Sequence, residues 1–248
     1  LGFGLAQDEK LDAAAEQAYR NLLRDALMPR IAQRIDAQLR DSLSRGNLEF
    51  TYEALKAYLM LQDPAHFNGE ALKAWITSDW ERTLPAGATT DQRSALNQHL
   101  DNLFANGAVS SPVATDSALV AQARNQLLRF SLPARVYSRL KRQGVGRDIP
   151  DFALDRAAGP SAALVFTRKS GQPLTKGIAG LYTHDGYYKG FDREVGRVTQ
   201  QLAGEETWVL GSAAGTPPDA ARLIEDVRRL YLADYIAVWD EYLKDVTL

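Results

Sequence analysis

The stretch Gly144-Val145-Gly146-Arg147-Asp148-Ile149-Pro150 decides how this chain is organised. Glycine and proline at this density favour turns and oppose the continuation of a helix or a strand. Before this stretch, apolar residues recur at helical spacing, and after it short strand-like patterns begin. We therefore predict an all-helical domain over residues 1–145 and a mixed α+β domain over residues 146–248.

The N-terminal domain opens on a long amphipathic pattern from Asp8 to about Leu43. Its apolar positions follow the period of 3.6 residues that places them on one helix face: Leu11, Ala15, Ala18, Leu22, Ala26, Ile31, Ile35 and Leu39. Pro29 lies inside the pattern, where it lacks a backbone donor and clashes with the preceding turn. The pattern predicts either one helix kinked near Met28 or two helices in series.

Further helices are predicted from apolar spacing and capping residues, with short loops between them. They are a segment over residues 50–61 after Gly46-Asn47, one capped by Asn68, one that begins at Thr90 and ends at Asn106-Gly107, and one capped by Asp116 or Ser117 that Pro133 bends before Leu140.

The C-terminal domain combines short strand-like segments with two helices. Strands are predicted over Asp151–Arg156 and Ser161–Lys169, and Thr183 is expected to cap a helix. Trp208–Gly211 is a short buried segment, and Thr216-Pro217-Pro218-Asp219 starts a long final helix whose apolar face carries Trp239 with Ile236 and Leu243. The predicted fold class is mainly α with a small β element: a multi-helix N-terminal body, a mixed segment and a long C-terminal helix.

The composition excludes several classes of function. The 248 residues hold 29 Lys and Arg against 31 Asp and Glu, a net charge of -2, so the basic excess needed for nucleic-acid binding is missing. No apolar run approaches the roughly 20 residues that span a bilayer, so we expect no membrane insertion by this chain. It has no Cys. Because it opens on Leu1-Gly2-Phe3-Gly4-Leu5, without an initiator Met or a signal-peptide pattern, we expect it to be part of a larger protein.

No complete catalytic motif is present in the sequence. The phosphate-binding loop, the dinucleotide fingerprint and the serine nucleophile elbow are all missing, and Gly211-Ser212-Ala213-Ala214-Gly215 has its serine in the wrong position. The histidines, His66, His99 and His184, lie far apart in the sequence. We therefore predict no catalytic residue, no cofactor site and no metal site.

A tyrosine-rich segment provides the candidate protein-contact residues Tyr182, His184, Tyr187 and Tyr188. Aromatic and polar groups beside glycines are more typical of a contact surface than of a core. Equally open is a loop that packs on the body of the protein with only its hydroxyls in water.

Several segments, in order along nearly the whole chain, resemble the IcmF family of the type VI secretion system. They are Leu1–Leu5, Tyr52–Leu61, Trp75 with Trp80-Glu81, Gly180–Tyr188, Trp208–Gly211 and Tyr231–Tyr235 with Trp239. The resemblance implies a periplasmic scaffold segment of an inner-membrane-anchored subunit, without enzymatic activity. It also implies partners in the membrane complex: the lipoprotein TssJ, through regions beyond this chain, TssL, and further copies of the same subunit.

Two other classes of function stay open at this point. A periplasmic hydrolase of cell-wall polymer would use a carboxylate such as Asp185 or Glu205, with a second carboxyl across a cleft. A helical ligand-binding module would need a large apolar pocket between the two halves of the chain.

Overall fold

A computed structural model of the chain describes residues 5–105, 107–211 and 219–248. Most of these residues are helical, which confirms the predicted fold class of mainly α with a small β element. The helices are α1 Leu5–Leu22, α2 Met28–Arg45, α3 Leu48–Met60, α4 Gly69–Thr83, α5 Thr90–Phe104, α6 Ser117–Leu127, α7 Leu132–Arg142, α8 Leu154–Ala158, α9 Ala162–Val165, α10 Asp192–Val209 and α11 Ala220–Asp245; the strands are β1 Thr167–Arg168 and β2 Val246–Thr247.

The first helical pattern is interrupted where the proline predicts it. A π-helical stretch, Leu23–Leu27, separates α1 from α2, and Pro29 lies in the first turn of α2. The backbone keeps helical dihedral angles at Leu22, Leu27 and Met28, so the π-helical stretch accommodates the missing proline donor without ending the helical run. Helix α2 ends at Gly46, whose φ of 67° is the left-handed conformation that glycine adopts without strain.

The chain divides into two compact units, Leu1–Leu127 and Leu128–Leu248. In the first unit α2 packs against α3, and α3 also contacts α4 and α6. Its core is aliphatic, with fully buried side chains that include Met28, Ile35, Leu39, Leu55, Leu72, Leu100 and Leu127. The described part of the chain before residue 143 contains helices and turns and no strand, as the periodicity predicts.

In the second unit α7 packs against both α10 and α11. The α7–α10 contact contains a buried ion pair, Arg135 with Glu206, and a partly buried one, Arg139 with Glu205. Helix α7 falls in the residues that the sequence assigned to the first domain. The limits 1–145 and 146–248 stay a prediction about the domain organisation.

The predicted helix from Asp116 to Leu140 is wrong in its continuity. The Asp116 side chain does cap α6, where it accepts a hydrogen bond of 3.0 Å from the Leu119 amide. However, the chain leaves helical geometry after Leu127 and resumes it in α7, with Pro133 in the first turn. Proline starts a second helix here instead of bending the first, because its missing donor fits a first turn and not an interior.

The two predicted strands are also mostly wrong. Within Asp151–Arg156 only Phe152 makes a β-bridge, to Ile178, and within Ser161–Lys169 only β1 is a strand. The alanine-rich stretches fold as the short helices α8 and α9, in keeping with the high helix propensity of alanine. Strand β1 forms because antiparallel β2, far away in the sequence, pairs with it.

The final helix begins and packs differently from the prediction. Asp219 is its N-cap, with a side-chain oxygen 3.3 Å from the Arg222 amide, whereas Thr216, the first residue of the predicted start, lies outside the described residues. Ile236 and Leu243 are each 60% exposed, so they do not share a buried face with Trp239. The buried face of α11 carries Leu223, Val227, Tyr231 and Tyr242.

Candidate functional site

The tyrosine-rich segment is an ordered connection into α10. A 3-10 turn, Gly180–Tyr182, precedes it, and the π-helical stretch Gly186–Phe191 leads directly into the helix. Thr183 caps this region as predicted, since its Oγ1 accepts a hydrogen bond of 3.1 Å from the Gly186 amide. The same hydroxyl donates to the Gly180 carbonyl at 2.7 Å, which closes the turn.

The glycines of this segment allow close backbone packing. A Cβ added to Gly186 would lie 2.1 Å from the Gly180 oxygen, and one added to Gly180 would lie 2.0 Å from the Ile149 oxygen. Atoms this close overlap, so no larger residue fits without a shift of the backbone. These glycines therefore bring three backbone segments together, near Ile149, Gly180 and Gly186.

Tyr182 faces inward and is fixed at both ends. Its carbonyl accepts a hydrogen bond of 2.7 Å from Trp239 Nε1, and its ring stacks on Tyr231 with 5.9 Å between the centroids. Its hydroxyl lies 3.2 Å from the Tyr137 hydroxyl and 3.4 Å from an Asp234 oxygen. Tyr182 therefore joins the segment to α7 and α11.

Tyr187 is also part of the packed body. Its ring stacks on Phe191 and lies at a tilt against Tyr231, with centroids 6.0 and 5.7 Å away. Tyr231 is fully buried, stacks on Phe191 at 4.3 Å and donates a hydrogen bond of 2.6 Å to the Leu181 carbonyl. Burial raises the pKa of the Tyr231 hydroxyl, so this group stays protonated as a donor.

His184 and Tyr188 face the solvent beside two charged residues. The Tyr188 residue is 56% exposed and the His184 side chain 81%, and their rings lie 4.8 Å apart. Lys189 Nζ donates a hydrogen bond of 2.7 Å to the Asp185 carboxylate. This hydrogen bond and the one from His184 lower the pKa of Asp185. We call His184, Asp185, Tyr188 and Lys189 the outer patch.

The predicted contact residues thus separate into two pairs. Tyr182 and Tyr187 support the segment from within, whereas His184 and Tyr188 present aromatic groups to the solvent. Tyr188 is supported on one side by Tyr187, whose ring is perpendicular to its own with 4.8 Å between the centroids. An exposed aromatic pair on a well-packed base can bury area against a partner with little loss of side-chain entropy.

The supporting residues Tyr137, Asp234 and Lys141 were missed in the sequence. The Asp234 carboxylate accepts a hydrogen bond of 2.8 Å from Tyr137 and lies 3.4 Å from Lys141 Nζ. Lys141 Nζ also lies 4.4 Å from the Tyr137 ring centre, a cation–π contact. The available signal was an acid placed between Tyr231 and Tyr235 on a helix, because a carboxylate beside tyrosines usually accepts from their hydroxyls.

The two carboxylates named for a hydrolase are engaged by cations. Glu205 lies between α7 and α10, with one oxygen 3.1 Å from two nitrogens of Arg139. Asp185 is paired with Lys189 on the surface. Across residues 5–105, 107–211 and 219–248, no group of three or more His, Cys, Asp or Glu side chains could hold a metal ion. Within the same ranges no helix is both long enough and apolar enough to cross a bilayer.

Comparisons with known proteins match the whole chain to one family. The sequence profile of the IcmF-related family, described as intracellular multiplication and human macrophage-killing, matches residues 1–248. The chain is 44% identical over 252 aligned residues to the type VI secretion system component TssM1 of Pseudomonas aeruginosa. That alignment covers 100% of this chain and 22% of the length of TssM1. No solved structure matches the chain.

Proposed function

The chain belongs to the IcmF-related family, and we propose that it is a non-catalytic scaffold segment of a type VI secretion system membrane complex. We propose further that it lies in the periplasm, as part of a subunit anchored in the inner membrane. It acts through protein–protein contacts, and the outer patch is one of its contact surfaces.

The observation that carries this proposal is the exposed aromatic pair on a fixed base. Tyr188 and His184 are in contact with each other, and the glycine-packed turn and the buried Tyr231 hold the backbone beneath them. Tyrosine is enriched among the few interface residues that contribute most of the binding free energy. Asp185 and Lys189 add both signs of charge, which suits a polar rim around an aromatic centre.

The proposed partners are other subunits of the same membrane complex. They include further copies of this subunit and TssL, while TssJ would bind through regions beyond this chain. The similarity to a type VI secretion component supports membership of such a complex. The alternative of a cell-wall hydrolase has no support from the comparisons. It has none from the two carboxylates either, because Asp185 is paired with Lys189 and Glu205 with Arg139.

The test replaces the outer aromatic pair in the intact secretion subunit. We expect His184→Ala with Tyr188→Ala to reduce secretion strongly while the subunit accumulates at its normal level. The matched control is Arg193→Ala, an exposed residue at the start of α10 outside the patch. Because secretion could fall for indirect reasons, a photo-crosslinking amino acid at position 188 should also capture a complex subunit, and the same group at position 193 should not.

Two results would overturn the proposal. One is normal secretion by a stable double variant. The other is equal crosslinking from positions 188 and 193, since this would mean that the outer patch has no special contact.

A further inference from the structure

A second surface feature of the second unit is a groove of about 600 Å³ between the end of α11 and the loop that follows β1. Its volume falls within the range of about 300–1,000 Å³ that is usual for ligand sites. The floor is apolar and firmly packed: Ile178 and Tyr242 are buried, and Val238 is half-buried. The outer patch described above contributes no residue to this groove.

One wall of the groove is a closed network around Asp245. Its carboxylate accepts hydrogen bonds from Arg168 Nε at 2.6 Å, from the Ser170 amide at 2.7 Å and from the Ser170 hydroxyl at 2.6 Å. These hydrogen bonds, those from Ser170 first, lower the pKa of Asp245. The Arg168 guanidinium also donates to the Lys176 carbonyl at 2.5 Å. Arg168 and Asp245 are therefore engaged with each other and form part of the frame.

The rim of the groove is positively charged. Lys169, Lys176 and Lys244 line it from three separate stretches of the chain, and the remaining acid is Glu241. Lys169 Nζ donates a hydrogen bond of 2.8 Å to the Lys244 carbonyl, which holds one ammonium group at the rim. Lys244 Nζ lies 3.8 Å from Asp240, and both side chains are exposed, so this pair is weak.

The balance of charge in the groove opposes that of the whole protein. Among the residues that line it, four are basic and two are acidic, in a chain whose net charge is -2. After Arg168 and Asp245 neutralise each other, three lysines face one glutamate. Such a local field attracts negatively charged ligands and raises their rate of association.

We propose that this groove binds an extended, acidic segment of a partner protein. The apolar floor takes alternate aliphatic side chains of the segment, and its carboxylates meet the rim lysines. A small anion would use the charge and leave the apolar floor uncovered, whereas a segment of alternating acidic and apolar residues uses both. Extended segments present their side chains alternately to two sides, which fits a floor and a rim. The groove and the outer patch share no residue, so binding at the groove does not depend on the function proposed for the outer patch.

The probe is a fluorescein-labelled peptide of about eight residues in which Glu alternates with Leu. Its binding to the full 248-residue chain is measured by fluorescence polarisation. We expect saturable binding that weakens when salt is raised from about 50 to about 500 mM, because screening acts on exposed charges. A peptide in which Lys alternates with Leu should not bind.

The variant Lys176→Glu with Lys244→Glu should weaken binding of the acidic peptide by about tenfold or more. The matched control is Arg193→Glu, which changes the same type of charge on the exposed face of α10. It should alter affinity by less than about twofold. If circular dichroism shows that the double charge reversal disturbs the fold, Lys176→Gln with Lys244→Gln replaces it. This neutral variant should lose the salt-dependent part of peptide binding.

Three outcomes would overturn the proposal. They are no saturable binding of the acidic peptide, equal weakening by Arg193→Glu, and displacement of the peptide by inorganic polyphosphate at a lower concentration than by its own unlabelled form. The last would mean that the groove selects phosphate and not an acidic protein segment.

Discussion

Trp239 on α11 donates its indole N–H to the backbone carbonyl of Tyr182, 2.7 Å away. The same indole ring lies 5.0 Å from the ring of Phe152, measured between centroids. A half-buried tryptophan thus ties the final helix to the turn that carries the candidate contact surface. The sequence predicted Trp239 on an apolar helix face, and in the structure its indole N–H anchors the turn Gly180–Tyr182.

We predict that Trp239→Ala lowers the free energy of unfolding by about 3 kcal/mol, because it removes ring packing and leaves a carbonyl without its donor. Trp239→Phe keeps most of the packing and should cost about 1 kcal/mol. Urea denaturation followed by circular dichroism measures both. Ile236→Ala is the matched control on the exposed side of α11. If it cost as much as Trp239→Ala, the anchoring role would be wrong.

Two adjacent tyrosines, Tyr187 and Tyr188, should differ in how much they contribute to stability. Tyr187 packs against Phe191 and Tyr231, so Tyr187→Ala should destabilise the chain by about 2 to 4 kcal/mol. Tyr188 is mostly exposed, and Tyr188→Ala should cost less than about 1 kcal/mol. Thermal unfolding of the two single variants measures the difference, and similar melting temperatures would contradict the inward and outward assignment.

Two glycine substitutions provide a test of the close packing under the outer patch. Gly186→Ala would place a methyl group 2.1 Å from the Gly180 oxygen and should destabilise the chain by several kcal/mol, or prevent folding. Gly196→Ala, in α10 with open space around its Cβ position, should stabilise the chain by about 0.5 to 1 kcal/mol. Denaturation midpoints of the two variants should therefore move in opposite directions. Equal shifts of the two midpoints would mean that the backbone near Gly186 moves enough to accept a methyl group.

Acid should weaken the first unit through Asp79. This buried carboxylate accepts two hydrogen bonds from Arg34, at 2.8 and 2.9 Å, and these bonds hold its pKa below the ordinary value of 3.8. Because the unfolded state binds the proton more readily, the stabilisation is complete above about pH 4 and is lost as the pH falls through the native pKa. Asp79→Asn should lower stability at pH 7 by about 1 to 3 kcal/mol and flatten this acid dependence.

Unfolding curves of the parent chain and of Asp79→Asn between pH 7 and about pH 3 measure this effect. Asp41→Asn is the control, since the Asp41 carboxylate is exposed and pairs with Arg45 within the same helix. If Asp79→Asn lost stability in acid as the parent chain does, other carboxylates would be the cause of the acid dependence.

Local chemistry in the sequence determined the helical part of the fold. Asn47, Asn68 and Asp116 accept hydrogen bonds from amides in the first turns of their helices, because a short polar side chain satisfies these donors wherever the helix lies. Apolar spacing likewise identified Ile31, Ile35 and Leu39, which are buried, as residues of one helix face. Both signals act over a few residues, so a single sequence contains them in full.

Only the tertiary structure decided the strands and the direction in which each tyrosine faces. Strand β1 exists because β2, far along the chain, pairs with it, as in Thr167 opposite Thr247. Likewise, Tyr187 faces inward because its ring packs against Tyr231 of α11, whereas Tyr188 is 56% exposed. Pairing and stacking join residues far apart in the chain, and the local pattern of a glycine-rich, aromatic segment fits both a flexible loop and a packed turn.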